Sequence, residues 1–238
     1  MSSHYKTFER DTLFTHTTHT FNKYSPQLKG KLITFEGVDF AGKTTQIKLI
    51  SDCLTSNGIP NLITHQPYDP NIRNIILSKK VEANLSPIAE LLLYMADRTQ
   101  HCNEVIKPAI DKGTIVLCDR FIDSSVAYQG YGRGIDINFI DILNAQALQG
   151  LEVDCTIFLD VDKDSVSHRR GNQQLDKMES MGSLFFERVY KGFVELCNKY
   201  DRIHKVDGTR SKTTVCENIL DILRKVILYH IGKHYEMP

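Results

Sequence analysis

No stretch of this chain is apolar for long enough to cross a membrane as a helix. Neither sign of charge is in excess: 29 Lys and Arg face 29 Asp and Glu, so the footprint of a nucleic-acid or membrane-surface binder is missing. No Cys-x-x-Cys occurs; six cysteines stand singly at 53, 102, 118, 155, 197 and 216. Several sit in apolar runs such as Ile115-Val116-Leu117-Cys118, and they read as small buried hydrophobes in a reducing, cytoplasmic compartment rather than as disulfides or a zinc site. The nine histidines are dispersed, and His16 and His19 have no carboxylate or cysteine nearby to complete a metal site. Residues 1–29 lack the hydrophobic segment of a secretory signal, and Glu9 and Asp11 among the bases fit a transit peptide poorly. They read as an N-terminal extension, flexible or draped on the domain.

What remains is globular. The 238 residues are 41% hydrophobic and 24% charged, which suits one domain with a sizeable core. The most informative segment is Gly37-Val38-Asp39-Phe40-Ala41-Gly42-Lys43-Thr44, with Thr45 behind it. It follows the apolar run Leu32-Ile33-Thr34-Phe35 and precedes a helical pattern of Ile47, Leu49, Ile50 and Leu54. Strand, glycine-bounded loop, Lys-Thr and helix together make a phosphate-binding P-loop. Glycines let backbone N–H groups close on phosphate oxygens, and the helix N-terminus adds positive charge. In such a loop Lys43 reaches the outer phosphates of ATP and Thr44 holds Mg²⁺.

From Lys31 onward strands and helices alternate. Strands are expected at Lys31–Glu36, Asn61–His65, Thr114–Cys118, Thr156–Val161 and Ile203–Val206. Helices are expected over Lys43–Ser56, from Pro87 with Ser86 as N-cap, around the Phe185, Val189, Phe193, Leu196 face, and at the C-terminus through Val215, Ile219, Leu223 and Val226. The helix from Pro87 is apolar nearly all round and should be buried; Pro108 should kink or divide the chain beyond it. Residues 164–182, with His168, Arg169 and Arg170, read as a polar mobile segment, and 231–238 as a tail. The fold class is α/β: a parallel sheet of about five strands with helices on both faces. Ligands of such sheets bind at the carboxyl ends of the strands, where Gly37, Asp119 and the residues after Asp160 fall.

Four groups beyond the P-loop can carry chemistry. Asp119-Arg120 closes a buried strand: the carboxylate suits a Mg²⁺ water and the guanidinium a phosphate. Tyr94 and Arg98, four apart, lie on one helix face, an aromatic ring beside a planar donor. Arg98 needs a partner, which Asp97, another carboxylate or a ligand would provide. Tyr128 to Gly134 is glycine-rich and is expected as a loop. Arg169 and Arg170 can swing in to neutralise a transferring phosphoryl group. Asn198-Lys199-Tyr200-Asp201 imitates the guanine motif of P-loop GTPases, but it ends an amphipathic helix instead of following a strand.

Together these stretches resemble the thymidylate kinase family over about residues 31–225. The likeness rests on Phe35-Glu36-Gly37-Val38-Asp39 through Thr45, Glu90 through Arg98, Asp119-Arg120-Phe121 through Gly130, Gly132-Arg133-Gly134, Phe158 through Val161 and Leu175 through Glu179. The resemblance implies a P-loop domain over residues 30–230, a lid at about 164–182, ATP and dTMP as substrates, Mg²⁺ and a homodimer. It implies that Gly37 to Thr45 bind ATP, with Asp39 at the sugar 3′-hydroxyl or metal shell. Arg120 would hold the dTMP phosphate, Tyr94 would stack on thymine, and Arg98 would bond its carbonyl edge. Ser125 and Gln129 would lie beside base or sugar, and Tyr128 would crowd the 2′ position. Departures stand out. Phe40 occupies a P-loop position where one branch of the family has arginine, which assigns that work to Arg169, or else Arg170. His65-Gln66-Pro67-Tyr68-Asp69 replaces the usual Arg-Glu-Pro-Gly-Gly, with Arg73 as a substitute cation. Phe121 replaces a common tyrosine, and Lys177 stands where the lid often has arginine. A non-catalytic nucleotide switch would share the P-loop, but Lys43, Asp119, Arg120 and a basic lid argue against it.

Overall fold

Period-two alternation in the strands decides the layering. In β1 (Leu32–Glu36), Ile33 and Phe35 join one apolar cluster, while Leu32 joins another on the opposite face. The computed structural model describes residues 30–77, 85–171 and 182–232. Expectations for residues 1–29, for Leu175 to Glu179 including Lys177, and for 233–238 lie outside the described residues.

Four further strands follow: β2 (Asn61–His65), β3 (Ile115–Asp119), β4 (Cys155–Asp160) and β5 (Ile203–Asp207). All pair in parallel, in the order β2-β3-β1-β4-β5. The helices are α1 (Lys43–Ser56), α2 (Pro70–Leu77), α3 (Pro87–His101), α4 (Lys107–Asp111), α5 (Ile122–Ser125), α6 (Ile137–Leu148), α7 (Lys163–Arg170), α8 (Ser183–Lys199) and α9 (Lys212–Gly232). Ile33, Phe35, Leu117, Ile157 and Leu159 pack with α1 and α9 on one face. On the other, Phe158 meets Phe185, Val189 and Phe193 of α8, and Leu32, Val116 and Cys118 meet Cys102, Ile106 and Ile110. Because β1 lies between β3 and β4, with Phe35 in register with Asp119, the P-loop and the Asp119-Arg120 turn emerge side by side.

Local signals explain the ends of these elements. Ser86 Oγ accepts from the Ala89 N–H at 3.2 Å and Pro87 opens α3. Before Pro108 the chain widens into a π-turn over Cys102–Ile106, which accommodates a residue that has no N–H to give.

Three expectations need correction. The glycine-rich stretch is no open loop: Val126–Gly132 is π-helical and, apart from half-buried Tyr131, buried. Its glycines serve close packing. A Cβ on Gly132 would stand 2.6 Å from Phe185 Cε2 and 3.0 Å from Val189 Cγ2, both fully buried. Gly132→Ala should therefore destabilise by about 1–3 kcal/mol, read as a melting temperature lowered by about 2–4 °C per kcal/mol. Helix α3 is not buried all round, because Ile88 and Leu92 are 42% and 48% exposed. The polar stretch from 164 begins as a helix: α7 is capped by Asp162, which accepts from the Ser165 N–H at 2.7 Å. Residues 172–181 of that stretch lie outside the described residues.

Candidate active site

Positive φ angles mark the turns after β1 and β3. Gly37, Phe40 and Gly42 of the P-loop have φ of 137°, 61° and 102°, and Arg120 after β3 has φ 66°. For Phe40 and Arg120 this is the left-handed region that side chains disfavour, a cost of order 1–3 kcal/mol that the surroundings must hold in place. Gly37 has a second constraint: a Cβ there would sit 2.8 Å from Leu159 O.

These turns border a cleft of about 1150 Å³. Its donor end holds Asp39, Phe40, Ala41, Gly42, Lys43, Thr44 and Thr45. Gly37 and Val38 lie beneath and contribute carbonyls: Lys43 Nζ donates to Gly37 O at 3.1 Å and Val38 O at 3.0 Å. Burial, and then the Arg120 charge, push the Lys43 ammonium below the usual lysine range; Asp119, Asp39 and Glu36 pull the other way. Thr44 Oγ1 donates to Asp119 Oδ2 at 2.9 Å. Arg169 reaches in from α7, donating to Ala41 O at 3.0 Å and Gly208 O at 2.5 Å. Arg170 does not line the cleft, so of the two arginines only Arg169 is placed on the P-loop.

Arg120 sits between the two ends. It pairs with Asp39 at 2.6 Å and donates to Gly37 O at 3.0 Å, with its guanidinium 5.1 Å from the Tyr128 ring centre. Burial opposes ionisation of Asp39, but Arg120 and Lys43 outweigh it and hold the carboxyl below its usual value.

The acceptor end is lined by Arg73, Tyr94, Arg98, Ser125, Tyr128 and Gln129. Arg73 Nη1 lies 3.4 Å from Pro67 O and 3.3 Å from His65 Nδ1. Gln129 gives its amide N–H to buried Glu90 at 3.1 Å, and Arg133 pairs with the same carboxylate at 2.7 Å. Tyr128 Oη and Gln46 Oε1 are buried at the cleft without a hydrogen-bond partner among the described residues. A buried polar atom left unpaired is costly, and a bound ligand would relieve it.

Arg98 departs from the sequence reading. Its hydrogen-bond acceptors are neutral: Gln66 Oε1 at 2.9 Å, Asn144 Oδ1 at 2.5 Å, Phe121 O at 3.1 Å, Ser125 Oγ at 2.9 Å and Met95 Sδ at 3.5 Å. Asp97 faces away, taking the N–H groups of Tyr68 and Asp69 at 2.7–2.8 Å. Arginine only donates, so Gln66 must turn its oxygen to Arg98 and its NH₂ to His101 Nδ1, 3.2 Å away. His101 then accepts at Nδ1 and donates from Nε2 to Thr64 Oγ1 at 2.7 Å. That is the neutral ring, and burial pushes its pKa down to about 3. Asn144 is a neighbour that motif reading misses, and Glu36 and Gln66, though inside the stretches quoted from sequence, receive no such contacts there. The one visible signal is polar Thr34 and Glu36 alternating within an apolar strand.

Backbone cradle, buried ammonium, Thr-Asp pair and an arginine at the lip of a second subsite define a P-loop nucleotide kinase. The thymidylate kinase family model matches residues 35–219, and the chain belongs to that family. It is 43% identical over 202 residues to the thymidylate kinase of Nostoc punctiforme, covering 82% of this chain and 96% of that one. To that of Pelotomaculum thermopropionicum it is 41% identical over 207 residues, covering 84% and 95%. The crystal structure of thymidylate kinase from Ehrlichia chaffeensis superposes with a TM-score of 0.64 at 32% identity, covering 82% of this chain and 98% of that one. The enzyme class is thus a phosphotransferase, and the reaction ATP-dependent phosphorylation of dTMP to dTDP.

Proposed function

We propose that this chain performs that transfer in line, ATP lying along the P-loop and dTMP in the Arg98 end of the cleft, and so feeds dTTP synthesis. The observation that carries the reading is the Thr44–Asp119 contact beside Lys43, with Arg120 reaching between the two ends. The donor set fits Mg²⁺: a hydroxyl and a carboxylate are hard oxygen ligands, and Mg²⁺ commonly takes only one or two carboxylates plus substrate phosphates. Among the described residues no cluster of three or more His, Cys, Asp or Glu side chains could hold an ion unaided. Bound there, Mg²⁺ would offset charge on the phosphate oxygens.

The chain's own residues do the rest. Lys43 leaves its carbonyl contacts for the outer phosphates, and Arg169, already on the P-loop, takes the place of the arginine that Phe40 lacks. Arg120 exchanges Asp39 for the acceptor phosphate, which frees Asp39 for the sugar or metal shell; Arg73 adds charge at the rim. Ser125 accepts from Arg98, so its own proton is available to a base carbonyl. Gln129 and Tyr94 flank the base, and Tyr128 fills the space beside the 2′ carbon. Movement of α7, which carries Arg169, onto bound ATP would exclude water as a rival acceptor.

Ile88 and Leu92 on α3 and Phe139 and Ile142 on α6 are exposed, the last two at 39% and 60%. These helices pack together, and exposed apolar side chains on both support a homodimer. All six cysteines are thiols rather than disulfides, and no helix of the described residues is long and apolar enough to cross a membrane; unbridged thiols favour the cytoplasm.

The test is ADP release with ATP, Mg²⁺ and each of dTMP, dUMP, dCMP and dGMP. Turnover should be highest on dTMP. Comparable turnover on several acceptors would move the reading to a broader nucleotide kinase, and ATP binding without turnover to a switch.

A further inference from the structure

Glu36 ends β1 on the face where Thr34 and Thr156 meet at 2.7 Å, and it is fully buried outside the cleft lining. Its Oε1 accepts the Phe121 N–H at 2.8 Å and the Ser124 N–H at 3.3 Å, and its Oε2 accepts the Ser124 hydroxyl at 2.5 Å. All three donors belong to the turn that carries Arg120. A serine hydroxyl has one proton; with that proton on Glu36, Ser124 Oγ presents a lone pair, and Arg120 Nη1 donates to it at 3.3 Å.

We propose that Glu36 is a positioning residue for phosphoryl transfer: its carboxylate ties the strained Arg120 turn to the strand that leads into the P-loop, and through Ser124 aims Arg120 at the acceptor phosphate. This rests on the kinase reading of the site. The same strand continues into Gly37, whose carbonyl also accepts from Arg120 and Lys43. One carboxylate thereby fixes the spacing of the donor-side and acceptor-side cations. A misplacement of about 1 Å at such a contact is enough to cost roughly 100-fold in rate.

The environment makes this carboxylate conditional. Burial, then repulsion from Asp123, raise its pKa from 4.5 to about 7, against the Ser124 hydrogen bond, Arg120 and the Phe121 N–H. Asp123 is itself tied to Arg202 at 2.7 Å; Lys43, Arg98 and Arg202 also feel the Glu36 charge. Protonated Oε2 would donate to Ser124 Oγ and reverse that hydrogen bond, leaving the Ser124 proton without its acceptor and the hydroxyl that aims Arg120 free to turn. Activity should then fall as pH drops through about 7.

The experiment compares wild type, Glu36→Gln, Ser124→Ala and the double variant. Glu36→Gln keeps the shape and the acceptor for Phe121. It should lower kcat/KM for dTMP by roughly 10- to 100-fold, leaving the KM for ATP unchanged. The wild-type acid limb near pH 7 should move down to that of the substrate phosphate, near about 6. Ser124→Ala should reproduce both effects, and the double variant should be no worse than either single. The melting temperature of Glu36→Gln at about pH 8 should equal or exceed wild type, because a carboxyl with a raised pKa costs stability once ionised. Equal losses toward ATP and dTMP, an unmoved acid limb, or additive singles would overturn the proposal. Wild type failing on dTMP would instead overturn the kinase reading.

Discussion

Lys43→Met should lower kcat by roughly 1000-fold or more, about 4 kcal/mol of transition-state stabilisation, without lowering the melting temperature near pH 7. The two halves have one cause. Lys43 is buried, its only hydrogen bonds among the described residues are to Gly37 O and Val38 O, and its pKa is depressed chiefly by burial. A lysine with a depressed folded-state pKa binds its proton less tightly folded than unfolded. Below the unfolded value of 10.5 it therefore subtracts from stability, and stability rises with pH between the folded and unfolded values. Methionine keeps the stem and removes the charge, so the variant gains most near neutrality and the difference narrows as pH rises toward the unfolded value of 10.5. On the proposed reading the charge is held at a cost because a phosphate, not the protein, is its partner. Melting curves at neutral and at raised pH with steady-state ADP release check this; activity and stability falling together would mean that Lys43 holds the loop rather than the substrate.

The same logic shows what could be read from sequence. Strand and helix positions follow from short-range pattern: α1 and β2 begin and end at the residues expected, since Gly42 and the Asn57-Gly58 stop are local signals. The P-loop and Asp119-Arg120 are legible because each packs its chemistry into adjacent residues. What escaped is long-range. Glu36 meets Ser124 across 88 positions and Arg98 meets Asn144 across 46; which acceptor a buried cation finds depends on how helices dock. Asp97 is a reasonable partner for Arg98 by proximity, yet α3 turns it to the backbone before α2. The glycine-rich stretch misleads for the same reason: Gly132 answers to Phe185 of α8, distant in chain order and touching only after folding.

Arg98→Lys should be the most damaging conservative change in the acceptor end, for stability as well as selectivity. The guanidinium spreads its five N–H groups over five acceptors; an ammonium has three and no fixed fork. At least one of Gln66, Asn144, Phe121 O and Ser125, all buried around it, would lose its donor. Each unmet group costs about 1–3 kcal/mol, so the melting temperature should fall by about 2–12 °C for a chain of this size. Selectivity should erode as well. On the proposed reading Arg98 fills one of the two lone pairs of Ser125 and so biases its proton toward the base; without that contact the hydroxyl rotates freely between donor and acceptor. A carbonyl-bearing base and an amino-bearing base then look alike, and the dTMP to dCMP ratio of kcat/KM should drop by roughly 10-fold or more, the worth of one good hydrogen bond. Ser125→Ala bears on the base reading more directly: it should cost no more stability than the one Arg98 N–H it leaves unmet, about 1–3 kcal/mol, yet lower the same ratio. If Arg98→Lys melts early while the ratio holds, Arg98 is a structural post and the base is read elsewhere.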